Sequence, residues 1–101
     1  MDSYEAFSKL DGLEADDIAR FLKDQGIVGV KGNPAACVIS RYMVTMTGAQ
    51  ACVASPLTIT VWEGPEYFDV VFASPASPAV AEFIRRFDDG AYPELVEEVS
   101  F

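Results

Sequence analysis

Sixteen carboxylates, two thiols and no imidazole set the limits of the chemistry open to this 101-residue chain. Without histidine neither a Ser-His-Asp nor a Cys-His nucleophile can be assembled, so proton transfer would fall to carboxylates alone. The acids come in groups: Asp16-Asp17, Asp88-Asp89, the set Glu63, Glu66 and Asp69, and the terminal Glu94, Glu97 and Glu98. Neighbours on a helix diverge by about 100°, so the aspartate doublets do not converge on one ligand. No calcium-loop pattern is present, and neither a metal site nor a cofactor is expected. Cys37 and Cys52 fit no zinc, haem-attachment or Cys-x-x-Cys spacing. Apolar neighbours (Ala36 and Val38, Ala51 and Val53) mark both as buried core thiols. Arg41, one helical turn from Cys37, is the single feature that would lower a thiol pKa.

Gly26, Gly29 and Gly32 precede a helix start without matching either phosphate-loop pattern, and read instead as a helix stop and two turn positions. Helices on either side of this link invite a helix-turn-helix reading. The link is too long for that motif, and the second helix offers only Arg41 to a base edge. The net charge of −9 opposes direct nucleic-acid binding as well. It is skewed along the chain: residues 1–47 carry seven acids and five bases, residues 48–101 nine acids and two bases. Such a field repels phosphates and anionic membranes and attracts basic partners.

The elements that position these groups follow from periodicity. Tyr4, Phe7 and Leu10 predict a short helix closed by Asp11-Gly12. A firmer helix runs from about Glu14 to Gln25, with Asp16 and Asp17 in its first turn and Gly26 as its left-handed stop. Ile27 to Lys31 reads as an extended link. Asn33-Pro34 then supplies a cap and an N1 proline for a largely apolar helix from Pro34 to about Val44, ended by Thr47-Gly48. Leu57, Ile59 and Val61 alternate with Thr58, Thr60 and Trp62, and a second run spans Tyr67 to Phe72. With Glu63-Gly64-Pro65-Glu66 as the turn, the two form a hairpin.

Pairing Trp62 with Tyr67 puts Leu57, Ile59, Val61, Phe68, Val70 and Phe72 on one face. Thr58, Thr60, Trp62, Tyr67, Asp69 and Val71 fall on the other. Ala49 to Ala54 is a candidate third strand. Ser77-Pro78 starts a helix through Val80, Phe83, Ile84 and Phe87, stopped by Gly90. Tyr92-Pro93 opens a short terminal helix with Leu95, Val96 and Val99 on one side. The expected fold is a single α+β domain over 1–101: N-terminal helices, an antiparallel hairpin or three-strand meander, then C-terminal helices. No stretch is apolar enough to span a membrane, and Met1-Asp2-Ser3 lacks the regions of a secretory leader, so the cytoplasm is the expected location.

Within that frame the strongest functional feature is the second hairpin face. There Trp62 and Tyr67, flanked by Glu63, Glu66 and Asp69, have the aromatic-centre, polar-rim composition of a protein interface. The competing reading is that a helix covers the pair and makes it core.

Three segments resemble a group of small proteins of actinobacteria and their phages: 15–29 (Ala-Asp-Asp-Ile-Ala-Arg-Phe-Leu-Lys-Asp-Gln-Gly-Ile-Val-Gly), 37–42 (Cys-Val-Ile-Ser-Arg-Tyr) and 78–96, which begins Pro-Ala-Val-Ala-Glu-Phe-Ile-Arg-Arg-Phe. That group has no established activity, so the resemblance carries over no catalytic residue. It implies a phage or actinobacterial setting, in which small accessory proteins often bind a host protein. The expected function is therefore a non-enzymatic, acidic protein-binding domain whose partner is a host or cellular protein. The alternatives are a nucleic-acid mimic that inhibits a DNA-binding protein, a carboxylate-based or metal-dependent enzyme, and a homodimer formed through an unpaired strand edge.

Overall fold

The computed structural model of the chain describes residues 1–63 and 69–97. Helix α1 (Ser3–Asp11) starts where the Asp2 carboxylate accepts the Glu5 amide at 2.8 Å, satisfying one of the free N–H groups of the first turn. Ala6, Phe7 and Leu10 turn inward. In α2 (Ala15–Asp24) Asp16 and Asp17 sit at the positive end of the helix dipole, Ile18 and Leu22 are fully buried, and Gly26 takes the left-handed conformation after the last turn.

The helix expected from Pro34 begins at Val38 instead: α3 spans Val38–Thr47. The Asn33 side chain accepts the Ala35 amide at 3.1 Å and its carbonyl the Ala36 amide at 3.0 Å, closing a turn on itself. Val30 N–H then holds the Ala36 carbonyl, and Ser40 Oγ–H donates to the Pro34 carbonyl. The same Asn-Pro signal thus builds a turn one step before the helix. The expected stop is present, with Gly48 at φ +73°.

The candidate third strand is present. Strands β1 (Ala51–Ala54), β2 (Thr58–Glu63) and β3 (Asp69–Pro75) form an antiparallel sheet in that order. Between β1 and β2 the Ser55 hydroxyl accepts the Leu57 and Thr58 amides, leaving Leu57 exposed at the turn rather than on the core face. The hairpin register differs from the expected one. Val61 pairs with Phe72, Trp62 with Val70 and Glu63 with Asp69. Val71 is an extra residue between the Phe72 and Val70 pairs, a bulge that turns Val70 onto the face of Trp62 and Asp69 off it.

Helix α4 (Pro78–Asp88) starts as expected, with the Ser77 hydroxyl accepting the Val80 amide at 3.3 Å and proline in the first turn. Ser77→Ala should lower stability by about 1 kcal/mol, read as a shifted urea midpoint with an unchanged slope. The expected terminal helix is reduced to one 3-10 turn (Pro93–Leu95). Val96 then leaves it to form a parallel bridge with Gly29, closed by Gly29 N–H to Leu95 O and Glu97 N–H to Gly29 O, both 2.8 Å. Two main-chain bonds and a fully buried Leu95 outweigh further helix here. Val99 and Glu98 lie outside the described residues.

The fold is α+β, with helices at both ends of an antiparallel sheet. Helix α3 packs on β1 and α1 on β3. One continuous core results, in which Tyr42, fully buried, donates its hydroxyl to the Ala6 carbonyl at 2.7 Å.

Candidate functional site

The sheet has two unlike faces. Cys52, Ala54, Ile59, Val61 and Phe72 point toward the helices and are buried. Phe7 and Tyr4 set their rings on Phe72 (centroids 5.6 and 5.0 Å), and Cys37 and Ser40 of the α3 end lie against the Cys52 side. The opposite face is assembled from cross-strand rows, Ala51–Trp62–Val70 and Val53–Thr60–Ala73. Val70 is 54% exposed, Ala73 is exposed, and Trp62, Thr60, Val53 and Ala51 are half-buried.

Of the residues expected at an interface, Trp62 lies at one end of this outer face. Glu63 and Asp69 are exposed and directly paired, but alternation points them to the helix side of the sheet end. Tyr67 and Glu66 lie outside the described residues. The neighbour of Trp62 within the described part is Val70, which the expected register put on the opposite face. A signal for this face was present in the sequence: residues 42–62 and 70–81 contain no Asp, Glu, Lys or Arg, in a chain with sixteen acids and seven bases. The charges are carried almost wholly by the helices and their links.

The sheet edges are partly blocked against strand addition. On β1 the outward Ala54 amide is already bonded to the Pro34 carbonyl at 2.9 Å. On β3, Ala76 N–H bonds Leu57 O, and alternation from that pair turns the main-chain groups of Ala73 outward, as the Trp62 pairing does for Val70 beyond the bulge. Asp69, the Val71 bulge and Pro75, which has no N–H, blunt the rest of this edge.

Other candidate chemistry is spoken for. Gly26 N–H bonds Lys23 O, Gly29 N–H bonds Leu95 O and Gly32 N–H bonds Asp88 Oδ1, so the three glycines offer no free amide cradle to a phosphate. Helix α3, the would-be recognition helix, buries Val38, Ile39, Ser40, Tyr42 and Met43. Arg41 spends its guanidinium on Val28 O and on Glu97 at 3.0 Å, and that contact holds the Glu97 carboxyl below the usual carboxylate range. Both cysteines are buried. Burial pushes the Cys52 thiol up to about 12, against smaller opposing help from the Ser40 hydroxyl, which disfavours the thiolate a nucleophile needs. A depression of about 330 Å³ between α2 and α4 is lined by Asp16, Glu82 and Arg86, which are already paired with one another (Arg86 to Asp16 3.3 Å, to Glu82 2.9 Å). Among the described residues no three metal-ligating side chains converge, and no buried side-chain polar atom lacks a partner. No helix of the described residues is long and apolar enough to cross a membrane.

No family model, curated protein or solved structure matches the chain.

Proposed function

We propose that this chain is a non-enzymatic protein-binding domain of the cytoplasm, in a phage or actinobacterial setting, that engages a host or cellular protein through the outer face of its sheet. One observation carries the reading: among the described residues an acidic chain keeps this face free of charge, with Trp62 half-buried and Val70 exposed on it. Soluble domains usually protect exposed sheet with lysine or glutamate, and an uncharged aromatic-aliphatic patch is what the centre of an interface looks like. The acidic helical layer lies behind it and disfavours acidic partners at long range.

The test is affinity capture from the native host with wild type and with Trp62→Ser/Val70→Ser, followed by mass spectrometry. Both side chains are at least partly exposed, so far-UV circular dichroism of the variant should match wild type. A protein retained by wild type and lost by the variant supports the reading. Equal capture by both rejects the face.

A further inference from the structure

We propose that Cys37 and Cys52 are a disulfide-forming pair, oxidised by peroxides and restored by thiols, which stitches the start of α3 to β1 behind the sheet. The site is separate from the outer face, and neither reading depends on the other.

The two sulfurs converge on one oxygen. Cys37 stands at the N-terminus of α3, with its Sγ 3.5 Å from Ser40 Oγ and 4.0 Å from the Ala54 carbonyl of β1. Cys52 lies two residues before Ala54 on the same buried side of β1 and sets its thiol against the same Ser40 hydroxyl. A serine hydroxyl has one proton and two acceptor lone pairs. The Ser40 proton goes to the Pro34 carbonyl, so its oxygen meets the thiols with the lone pairs and sits between the sulfurs. Sulfurs about 3.5 Å out along two tetrahedral directions are roughly 6 Å apart. A disulfide closes at about 2 Å, and moving a cysteine to the next rotamer carries its sulfur through about 3 Å. One rotation at each residue spans the gap.

An oxidant arrives from one side. Ser40 and Cys52 line a depression of about 310 Å³ together with Arg41, Thr45 and Gln50, which has room for a peroxide. Cys52 therefore reacts first. Its sulfur attacks the peroxide, the O–O bond breaks, and a sulfenic acid and one water result. The Cys37 sulfur then attacks the Cys52 sulfur, the S–S bond forms, the S–O bond breaks and a second water leaves. Two thiols and one hydrogen peroxide give one disulfide and two waters, the sulfurs losing the two electrons that the peroxide gains. Because burial holds the Cys52 thiol protonated, the first step is slow at neutral pH, and the pair answers sustained oxidation.

Arg41 is the only basic residue between the cysteines, and the next after it is Arg85. Trypsin therefore places Cys37 in peptide 32–41 and Cys52 in peptide 42–85. The folded chain should be held in about 1 mM hydrogen peroxide for several hours, its remaining thiols alkylated, and the digest read by mass spectrometry. The two peptides should travel together until dithiothreitol parts them, while the undigested chain stays a monomer on a non-reducing gel. The bridge shortens the unfolded chain by a 15-residue loop, so oxidation should raise the urea midpoint by about 1–2 M. Cys37→Ser and Cys52→Ser should each lose the linked pair, and Cys37→Ser should leave a sulfenic acid on Cys52 that dimedone traps. Full alkylation of both cysteines after peroxide, linkage only between separate chains, or an oxidised chain with a lowered midpoint would overturn the proposal.

Discussion

Replacing Gly29 by alanine should remove about 3 kcal/mol or more of stability and is expected to leave the chain largely unfolded at 37 °C. A Cβ at this position would stand 2.1 Å from the Val38 amide nitrogen, 2.5 Å from the Cys37 carbonyl carbon and 2.7 Å from the Val38 Cα. All three are main-chain atoms at the start of α3, where no side-chain rotation brings relief. The link cannot retreat either, because its amide and carbonyl are held on the other side by Leu95 and Glu97. Backing away from α3 therefore breaks the parallel bridge that keeps Leu95 in the core. Gly12 provides the contrast, with φ −93° and nothing within 4 Å of an added Cβ. Gly12→Ala should be neutral or stabilise by up to about 1 kcal/mol through the unfolded chain. Urea denaturation of both variants settles the point, and equal midpoints for the two would show that the link yields far more easily than this packing implies.

Gly29 also marks the limit of what the sequence displays. The stops at Gly26, Gly48 and Gly90 and the start at Ser77-Pro78 are local devices, decided by a few neighbouring residues, and each lies where periodicity and capping put it. The role of Gly29 depends on α3 arriving beside it, which no local pattern records. The hairpin register fails for a related reason. Val61 meets Phe72 instead of Phe68, a displacement of four positions, and an even displacement keeps Ile59, Val61 and Phe72 on one face in either register. Separation of apolar from mixed faces was therefore satisfied equally by both. The Val71 bulge is invisible among β-branched neighbours, and it alone decides that Val70 joins Trp62 and that Asp69 leaves it. For the candidate site, Trp62 was legible as a large aromatic on the polar-patterned side of a strand. Its true neighbours were not, although the charge-free runs 42–62 and 70–81 already marked the surface they form. At the C-terminus, Leu95 and Val96 suit a helix face as well as a strap, and the free main-chain groups of Gly29 make the choice.

Alkaline pH should unfold the chain in a predictable window, because two acids are kept protonated by burial at the joints of α3. The Cys52 thiol is raised by burial from 9.0 to about 12, and the Tyr42 phenol, likewise by burial, from 10.0 to about 12. In the unfolded chain both ionise at their ordinary values. As pH climbs past 9 the unfolded state releases protons that the folded state retains, so the folded state is progressively disfavoured. The stabilisation is complete below pH 9, declines first through Cys52, then through both groups above pH 10, and is exhausted near 12. Both side chains are almost fully buried, and at about 1.4 kcal/mol per unit the loss is about 2 kcal/mol by pH 10 and roughly 4 kcal/mol by pH 11. That is a large fraction of the stability of a domain this size. Urea midpoints at pH 8, 9, 10 and 11 measure it. Cys52→Ala should start from a lower stability and lose the decline between pH 9 and 10. Tyr42→Phe, which removes the hydroxyl donor to the Ala6 carbonyl, should keep that early decline and flatten the later one. A wild-type midpoint that holds constant to pH 11 would mean that water reaches both groups. The contacts of α3 with β1 and α1 would then be looser than the burial of Cys52 and Tyr42 requires, and the sheet would lack the rigid backing that its outer face needs to present Trp62 to a partner.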